Sequence, residues 1–393
     1  MSVRRVRYII FLRDVLILSV TAFGGPQAHL AMFLDMMVTK RAYLTEKDLI
    51  ELNALCQILP GPTSTQTITA IGFKIGGPGL AYLTLLFWML PAVTTMICFG
   101  LMVLIFQEQG ISLSFLKFVQ PITVGIVAYS AYKISSSVVN TTTGFFLMII
   151  SALAAYIFRT PWAFPILLLI GGFITAFKFK QQPKEEKSRI KINWSNFILW
   201  ISVLIFAAVL GGVTQYRPVL LFENFYRNGS LIFGGGQVLV PLLLTEFVQF
   251  KDYLTSEEFL SGYGFMQALP GPVFSFSAYV GTLSMRSTDM FQQILGGFMA
   301  AAGVFLPGTF LIFFVSRFWE DLKKYRVVKA SLEGITAVSS GLVIAATFLL
   351  FEPIAPTTLN YVLMLGTMCL MFFTKIPTPV IIIVGLITGI IFK

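Results

Sequence analysis

Runs of apolar residues long enough to cross a lipid bilayer follow one another along most of this chain. A bilayer core is about 30 Å thick and an α-helix rises about 1.5 Å per residue, so a span needs about 20 residues. Charged residues make up only 12% of the chain and its mean hydropathy is +0.83, which leaves too little charge to cover a soluble protein. An all-α polytopic membrane protein is therefore expected, with spans at roughly 79–106, 113–138, 143–158, 162–178, 195–213, 292–316, 330–351, 357–373 and 376–392.

Four further apolar segments are too short to cross a bilayer, and helix breakers join them in pairs. Residues 8–23 and 27–38 flank GlyGlyPro (24–26), and residues 46–59 and 63–75 flank ProGlyPro (60–62). Proline lacks an amide donor and disfavours helical conformation in the residue before it, so ProGlyPro ends one helix and begins another. Half-length helices separated by Gly or Pro are typical of the broken or re-entrant segments of membrane transporters.

The same arrangement occurs twice, 210 residues apart. Fourteen of the 40 positions from 23 to 62 are identical to their counterparts in 233–272, among them FGG, YLT and LPGP. Further on, LP at 90–91 matches LP at 306–307. The chain is therefore an internal duplication, divided into an N-terminal repeat (1–192), a connecting transmembrane helix (193–217) and a C-terminal repeat (218–393).

The distribution of basic residues predicts how the two repeats are oriented. If each broken pair returns the chain to its starting side and the N-terminus is inside, 21 of the 28 Lys and Arg residues lie on the inner side. This is the bias that the positive-inside rule expects. The connecting helix then turns the second repeat over, which predicts an inverted repeat with about four spanning helices in each half. Such a protein is expected in the plasma (inner) membrane, with a cytoplasmic N-terminus and a binding site near the membrane midplane.

Side chains of the kinds that enzymes use are scarce in this sequence. There is one histidine, His29, and the three cysteines lack metal-binding spacing, so no metal centre and no histidine-based catalytic dyad is expected. The sequence contains no GxxxxGK[ST] motif and no dinucleotide fingerprint. An enzyme and a bound cofactor are therefore disfavoured. A membrane-embedded scaffold is disfavoured too, because it has little use for paired helix breaks.

The residues at the helix breaks are the candidate substrate site. A helix N-terminus carries about half a positive charge and several unpaired N–H donors, to which hydroxyl and amide side chains add directional donors. Four such termini would suit an anion away from water. In the alternative interpretation the Ser and Thr side chains only cap their helices, and the two roles are compatible. The candidate substrate-binding residues are Gly24, Gly25, Pro26, Gln27, Pro60, Gly61, Pro62, Thr63, Ser64, Thr65, Gln66, Gly234, Gly235, Gly236, Gln237, Pro270, Gly271, Pro272, Ser275 and Ser277.

Three ionisable residues outside the breaks are candidates for ion coupling or for an anion vestibule. His29 is either a packed, neutral histidine or a proton carrier. Glu333 lies inside a predicted span, where an i,i+4 pair with Lys329 is the favoured interpretation. Lys74 is a membrane-surface anchor, which we favour, or a vestibule charge. Local ion pairs are expected between Asp14 and Arg13 and between Glu223 and Arg227.

Several motifs in combination resemble the chromate ion transporter family. They are FGGPQAH, YLTEKDLIELNALCQILPGPTSTQ, IGFKIGG and FWMLP in the first repeat, and FGGGQVLVPLL, YLTSEEFLSGYGFMQALPGP and VFLPG in the second. The resemblance covers nearly the whole chain and matches the long, two-domain form of the family. Tyr43 and Tyr253 match the family's aromatic residue before Leu. Lys74 matches its basic residue after IleGly, which the second repeat (YVGTLSM) lacks.

The resemblance implies a plasma-membrane secondary transporter of a tetrahedral divalent oxyanion, chromate, whose efflux gives chromate resistance. The alternative function is transport or import of sulfate, which is isosteric with chromate, or of another anion, with chromate as an incidental substrate. The expected partners are the small oxyanion and the lipid bilayer, with no nucleic acid. Assembly into a homodimer stays open.

Overall fold

The computed structural model describes residues 3–111, 114–178, 193–233, 236–319 and 325–392, and within these residues the chain is helical without β-strands. The helices of the first repeat are α1 (Val3–Thr21), α2 (Gly25–Phe33), α3 (Glu46–Ile58), α4 (Thr63–Glu108), α5 (Val119–Val138), α6 (Thr142–Phe158) and α7 (Ala163–Ala176). The connecting helix is α8 (Ser195–Thr214). The helices of the second repeat are α9 (Arg217–Gly229), α10 (Gly236–Leu243), α11 (Ser256–Ala268), α12 (Phe276–Leu283), α13 (Met290–Val315), α14 (Arg326–Phe351), α15 (Thr358–Phe373) and α16 (Thr378–Ile391).

The predicted all-helical fold with broken half-helices in each half is confirmed. α2 continues as a π-helix over Leu34–Lys40, and its counterpart α10 continues as a π-helix over Leu244–Phe250. Within α4 the backbone leaves helical conformation at Gly77, where φ is +73° and ψ is −166°. This glycine, followed by Pro78, separates the half-helix that begins at Thr63 from the long span after it.

Among the described residues, four helices are long and apolar enough to cross a membrane by length and composition, namely α4, α8, α13 and α14. The apolar helices α6, α7, α15 and α16 are 14 to 17 residues long, shorter than a straight span. Large apolar side chains point outward from α8. Val213 is 80% exposed, and only 11% of the most apolar 18-residue stretch of this helix is buried. Such contiguous apolar surface is typical of a helix that faces lipid.

The helices group into two compact units that do not coincide with the two sequence repeats. One unit contains α1 to α3, α4 as far as Leu104, α8, α9, α12 and α13. The other contains α5 to α7, α10, α11 and α14 to α16. Each unit therefore takes helices from both repeats.

A buried apolar cluster holds the first unit's α1 to α4 together. Phe11 of α1, Phe33 of α2, Leu49 of α3 and Trp88 of α4 all belong to this cluster and are almost fully buried. α3 thus packs by one face against its own repeat. Burying such side chains is the main favourable contribution to packing.

Small residues bring helices close together in the second unit. α14 packs on α7 where Gly334 meets Gly171, and a Cβ built at Gly334 would lie 2.0 Å from the Gly171 carbonyl oxygen. It packs on α6 where Gly341 meets Ser151. Small residues at helix contacts are the usual basis of close packing in membranes, because lipid supplies no hydrophobic drive between helices.

The buried carboxylate Asp14 does not pair with Arg13, contrary to the sequence prediction. The Arg41 guanidinium donates to both Asp14 oxygens at 2.9 Å, and the Tyr43 hydroxyl donates to Oδ2 at 2.9 Å. Partial burial and this hydrogen bond raise the pKa of Tyr43 to about 12. Adjacent residues of a helix do not face each other, so the exposed Arg13 points away from the buried Asp14, whereas Arg41 reaches Asp14 from the loop after the π-helix. The predicted Arg227–Glu223 pair is confirmed at 3.1 Å.

Replacing Arg41 with Met should lower the thermal unfolding temperature, because Asp14 is then left buried without its charge partner. Thermal unfolding of the purified protein in detergent measures this change. The double variant Asp14→Asn with Arg41→Met should recover part of the loss. Equal stability of the single variant and the wild type would contradict a structural role for the pair.

The orientation predicted from the basic residues can be tested with single cysteines in a background lacking Cys56, Cys98 and Cys369. Asn140→Cys lies in an exposed loop expected inside, and Thr214→Cys lies at an exposed helix end expected outside. An impermeant thiol reagent added to whole cells should label Thr214→Cys and spare Asn140→Cys. The opposite pattern, or equal labelling, would show that the charge count gives the wrong topology.

Candidate functional site

ProGlyPro separates α3 from α4, and its second copy stands between α11 and α12. α3 ends at Ile58 and Leu59 is extended, so that α4 begins directly after Pro62. Gly61 has φ of +120° and Gly271 has φ of +100°, values that residues with a Cβ rarely adopt. In the second repeat a 3₁₀ turn over Val273–Ser275 precedes α12. The sequence thus correctly predicts where α3 ends and α4 begins, whereas α12 begins only after this turn, at Phe276.

Each ProGlyPro glycine donates its amide to the other repeat. The Gly61 N–H donates to the Ile232 carbonyl at 2.7 Å, and the Gly271 N–H donates to the Ala22 carbonyl at 2.8 Å. Ala22 and Ile232 are counterparts at the shift of 210 residues, and each lies just after the first helix of its repeat. All four residues lie in the first unit. We call these two bonds the reciprocal glycine bonds.

The LeuPro motifs of the long helices supply the surface against which the breaks pack. A Cβ built at Gly61 would lie 3.5 Å from the Cα of Gly308, which follows Pro307. A Cβ built at Gly271 would lie 3.1 Å from the Cβ of Ala92, which follows Pro91. The match between LP at 90–91 and LP at 306–307 therefore marks two equivalent packing surfaces.

The first turn of α4 presents backbone donors in a buried position. Gln66 N–H makes the first intrahelical bond, to the Pro62 carbonyl at 2.8 Å, so the amides of Thr63, Ser64 and Thr65 precede the helical ladder. Ser64 and Thr65 are buried. Thr65 Oγ1 accepts a hydrogen bond from Trp88 Nε1 at 3.1 Å, so this hydroxyl is held in place from the far half of α4.

The hydroxyls of the second ProGlyPro break bond to their own backbone. Ser275 Oγ donates to the Pro272 carbonyl, and Ser277 Oγ donates to the Phe274 carbonyl at 2.7 Å. Neither serine uses its hydroxyl hydrogen as a donor toward a ligand in this arrangement. The two repeats therefore share a backbone plan but differ in the side chains they present.

The glycine-rich breaks are described only in part. Gly24 and Gly25 have φ of +93° and +76°, and Pro26 occupies the first turn of α2. Gly234 and Gly235 lie outside the described residues, and of Gln27 and Gln237 only the helical backbone is described. Gly236 begins α10, which belongs to the second unit. The first unit therefore contains the breaks at 24–27, 60–66 and 270–277.

His29 is buried beside the first of these breaks. Its Nε2 lies 3.2 Å from the Ala22 carbonyl, which also receives the Gly271 amide. Because a carbonyl only accepts, Nε2 carries the hydrogen. The imidazole ring meets Trp88 edge-on with 5.4 Å between centroids. His29 thus belongs to the surroundings of a reciprocal glycine bond, whereas Leu239 at its counterpart position has no such donor.

The other two ionisable candidates lie in ion pairs and caps. Lys74 Nζ lies 2.6 Å from Asp48 Oδ1, so its charge is paired with the first turn of α3. Glu333 Oε1 accepts from Thr141 Oγ1 at 2.5 Å, and Thr141 also caps α6 through the Gly144 amide. Glu333 belongs to the second unit and Lys74 to the first. Lys74 and His29 share the first unit but have different partners, Asp48 and the Ala22 carbonyl.

Sequence reasoning missed the residues that complete the breaks from a distance. Ala22 and Ile232 act only through their carbonyls, which no side-chain pattern marks. Trp88 and Gly308 were recognised only as parts of the FWMLP and VFLPG motifs. A signal was available for Gly308 and Ala92, since both follow the proline of the duplicated LP motif.

The all-helical fold and the paired helix breaks define a polytopic membrane protein of the transporter class, built from two repeated halves. The chain belongs to the chromate transporter family, which matches residues 10–176 and 219–390. This finding agrees with the resemblance seen in the motifs.

Relatives with similar sequences cover most of the chain. A chromate transport protein of Pseudomonas aeruginosa is 26% identical over 83% of this chain and 77% of its own length. A probable chromate transport protein of Synechococcus elongatus is 25% identical, and an uncharacterized transporter of Methanocaldococcus jannaschii is 24% identical. These two alignments cover 95% of this chain and 93% and 91% of the relatives. No solved structure matches the chain.

Replacing Gly61 or Gly271 with Val should abolish chromate transport while leaving membrane insertion intact. A Cβ at Gly61 would lie 2.8 Å from Gln66 Nε2, and both positions require positive φ. Chromate flux and surface level of each variant measure the effect. Gly212→Val is the control, because this helical glycine of α8 has open space around its Cβ position. Normal flux in both break variants at normal surface level would place the site elsewhere.

Proposed function

We propose that this protein is a secondary transporter that moves chromate, a tetrahedral divalent oxyanion, out of the cell and thereby confers chromate resistance. The observation that carries the proposal is the first turn of α4, where Ser64 and Thr65 are buried and the amides of Thr63, Ser64 and Thr65 precede the helical hydrogen bonds. Membership of the chromate transporter family supports this substrate.

The electrostatics of the break suit a transported dianion. A Lys or Arg at the middle of a membrane costs about 2.5–3.5 kcal/mol even on the lenient insertion scale, and it would hold a dianion tightly. A helix N-terminus offers partial positive charge and N–H donors without that penalty. None of the four break motifs contains Lys or Arg. Lys74, the basic residue that follows the first ProGlyPro break, is paired with Asp48.

Each residue of the first break has a distinct role in this proposal. Gly61 lets the backbone turn and approach the substrate closely, and Pro62 sets the start of the helix. The Ser64 and Thr63 hydroxyls and the first-turn amides replace part of the water around the oxyanion. The second break supplies donors from its backbone, since Ser275 and Ser277 donate to carbonyls.

The proposal is tested by uptake of labelled chromate into inside-out membrane vesicles, which reports outward transport. Saturable uptake that sulfate competes is expected, with molybdate and phosphate as comparisons. Cells expressing the protein should also grow at higher chromate concentrations. Uptake only into right-side-out vesicles would indicate an importer, and preference for sulfate without chromate flux would indicate sulfate as the substrate. No flux of any oxyanion in either orientation would refute the proposal.

Replacing Ser64 with Ala should raise the half-saturating chromate concentration about 10- to 150-fold. This range corresponds to the loss of one hydrogen bond to a charged group, about 1.5–3 kcal/mol. Initial rates of vesicle uptake over a range of chromate concentrations measure it. Thr95→Ala is the matched control, because Thr95 is an exposed α4 residue whose hydroxyl bonds to the Pro91 carbonyl of its own helix. An unchanged value in Ser64→Ala would remove this hydroxyl from the site.

A further inference from the structure

The break between α3 and α4 presents a second helix end, of opposite polarity to the proposed oxyanion site. The C-terminal end of a helix carries about half a negative charge and unpaired carbonyls. Pro60 and Pro62 have no N–H, so the carbonyls of Cys56 and Ile58 lose their usual i+4 amide partners. The Gly61 amide, which would serve Gln57, donates to Ile232. The last turn of α3 is therefore rich in unused acceptors.

The Gln66 side chain places another acceptor at this end. Its Nε2 donates to the Pro60 carbonyl at 2.7 Å, which fixes the amide beside the break. Its Oε1 is buried and finds no hydrogen-bond partner among the described residues, and the side chain is only 2% exposed. Gly308 leaves room for this amide, since a Cβ there would lie 2.5 Å from Gln66 Nε2.

Thr69 adds a second orphaned oxygen one turn further along the same face of α4. Positions three apart on a helix are neighbours, with about 5–6 Å between Cβ atoms. Thr69 is fully buried and its hydroxyl has no partner among the described residues. The hydroxyls of Thr67, Thr84 and Thr95 in the same helix instead bond to the carbonyl four residues earlier. The Thr69 oxygen is therefore available to bind a ligand.

Gln66 Oε1 and the α3 carbonyls only accept hydrogen bonds, and a buried acceptor without a donor is costly, attracts a cation and repels an anion. The Thr69 hydroxyl can turn its oxygen lone pairs toward the same cation. We propose that Gln66 Oε1, Thr69 Oγ1 and the C-terminal carbonyls of α3 bind a monovalent alkali cation of the sodium class. The bound cation favours binding of the oxyanion at the adjacent α4 N-terminus, a role that rests on the proposed function. Divalent cations prefer carboxylate ligands. Neutral oxygens alone suit a single charge, and the described residues contain no cluster of acidic, His or Cys side chains suited to a metal ion.

The second repeat lacks the same side chains, so the proposal assigns one cation site to the protein. Phe276 and Tyr279 stand at the counterparts of Gln66 and Thr69, and their rings stack with 5.9 Å between centroids. Ala92 takes the place of Gly308. Aromatic side chains thus replace Gln66 and Thr69 in the second repeat.

Cation binding can be measured without any oxyanion. Trp88 reports on this turn of α4 because its indole donates to Thr65, one turn before Thr69. Sodium chloride is titrated into the purified full chain at constant ionic strength with choline chloride. A saturable change of tryptophan fluorescence is expected, absent in Trp88→Phe. Thr69→Val should raise the half-saturating sodium concentration at least tenfold, and Thr84→Val, a buried threonine with a bonded hydroxyl, should leave it unchanged.

Transport separates this inference from the proposed function. In proteoliposomes, sodium should stimulate chromate uptake relative to choline, and Thr69→Val should lose the stimulation. No saturable sodium response, or an equal response in Thr69→Val and the wild type, overturns the cation site. Chromate flux that is independent of sodium also overturns it while leaving the proposed function intact. A normal sodium titration without flux of any oxyanion supports the cation site and refutes the proposed function.

Discussion

The arrangement of the first unit depends on the two reciprocal glycine bonds. A helix break inside a membrane leaves backbone groups that water cannot satisfy, and each unsatisfied group costs several kcal/mol. At the breaks, the Gly61 and Gly271 amides are satisfied across the repeats, since each amide donates to the carbonyl that follows the other repeat's first helix. The positive φ of both glycines and the small residues Gly308 and Ala92 against which they pack make this exchange sterically possible. The first-turn amides of α4 take no part in this exchange.

Local chemistry made much of this architecture predictable. Apolar runs predicted most of the helices, and ProGlyPro predicted where α3 ends and α4 begins, because a missing amide acts on its immediate neighbours. The duplication predicted two equivalent halves, which the family match supports. Contacts between residues far apart in the chain could not be predicted from local sequence. Asp14 was expected to pair with Arg13 beside it and instead bonds to Arg41 and Tyr43. The grouping of helices from both repeats into each unit depends on packing that no local pattern records.

The two repeats share the same backbone hydrogen bonds at their ProGlyPro breaks but differ in the side chains around them. The second repeat has Leu239, Phe276 and Tyr279 at the positions equivalent to His29, Gln66 and Thr69 of the first. The backbone bonds are insensitive to these changes, since they use only amides and carbonyls. A backbone that is equivalent in both repeats can therefore carry different side chains in each. The two halves thus share their backbone hydrogen bonds, while the polar side chains at these positions belong to the first.

The reciprocal glycine bonds also set an order for folding during synthesis. Chains emerge N-terminal end first, at about 5–20 residues per second, and domains usually fold as they appear. Here the first repeat emerges with the Gly61 amide lacking its partner and the Ala22 carbonyl lacking one of its two, because Ile232 and Gly271 belong to the repeat made later. The first four helices must therefore wait in the membrane in an incomplete state. A chain truncated between the repeats leaves the Gly61 amide without its hydrogen-bond acceptor. Membrane proteases could recognise this unpaired polar group, which is hydrogen-bonded in the full-length protein.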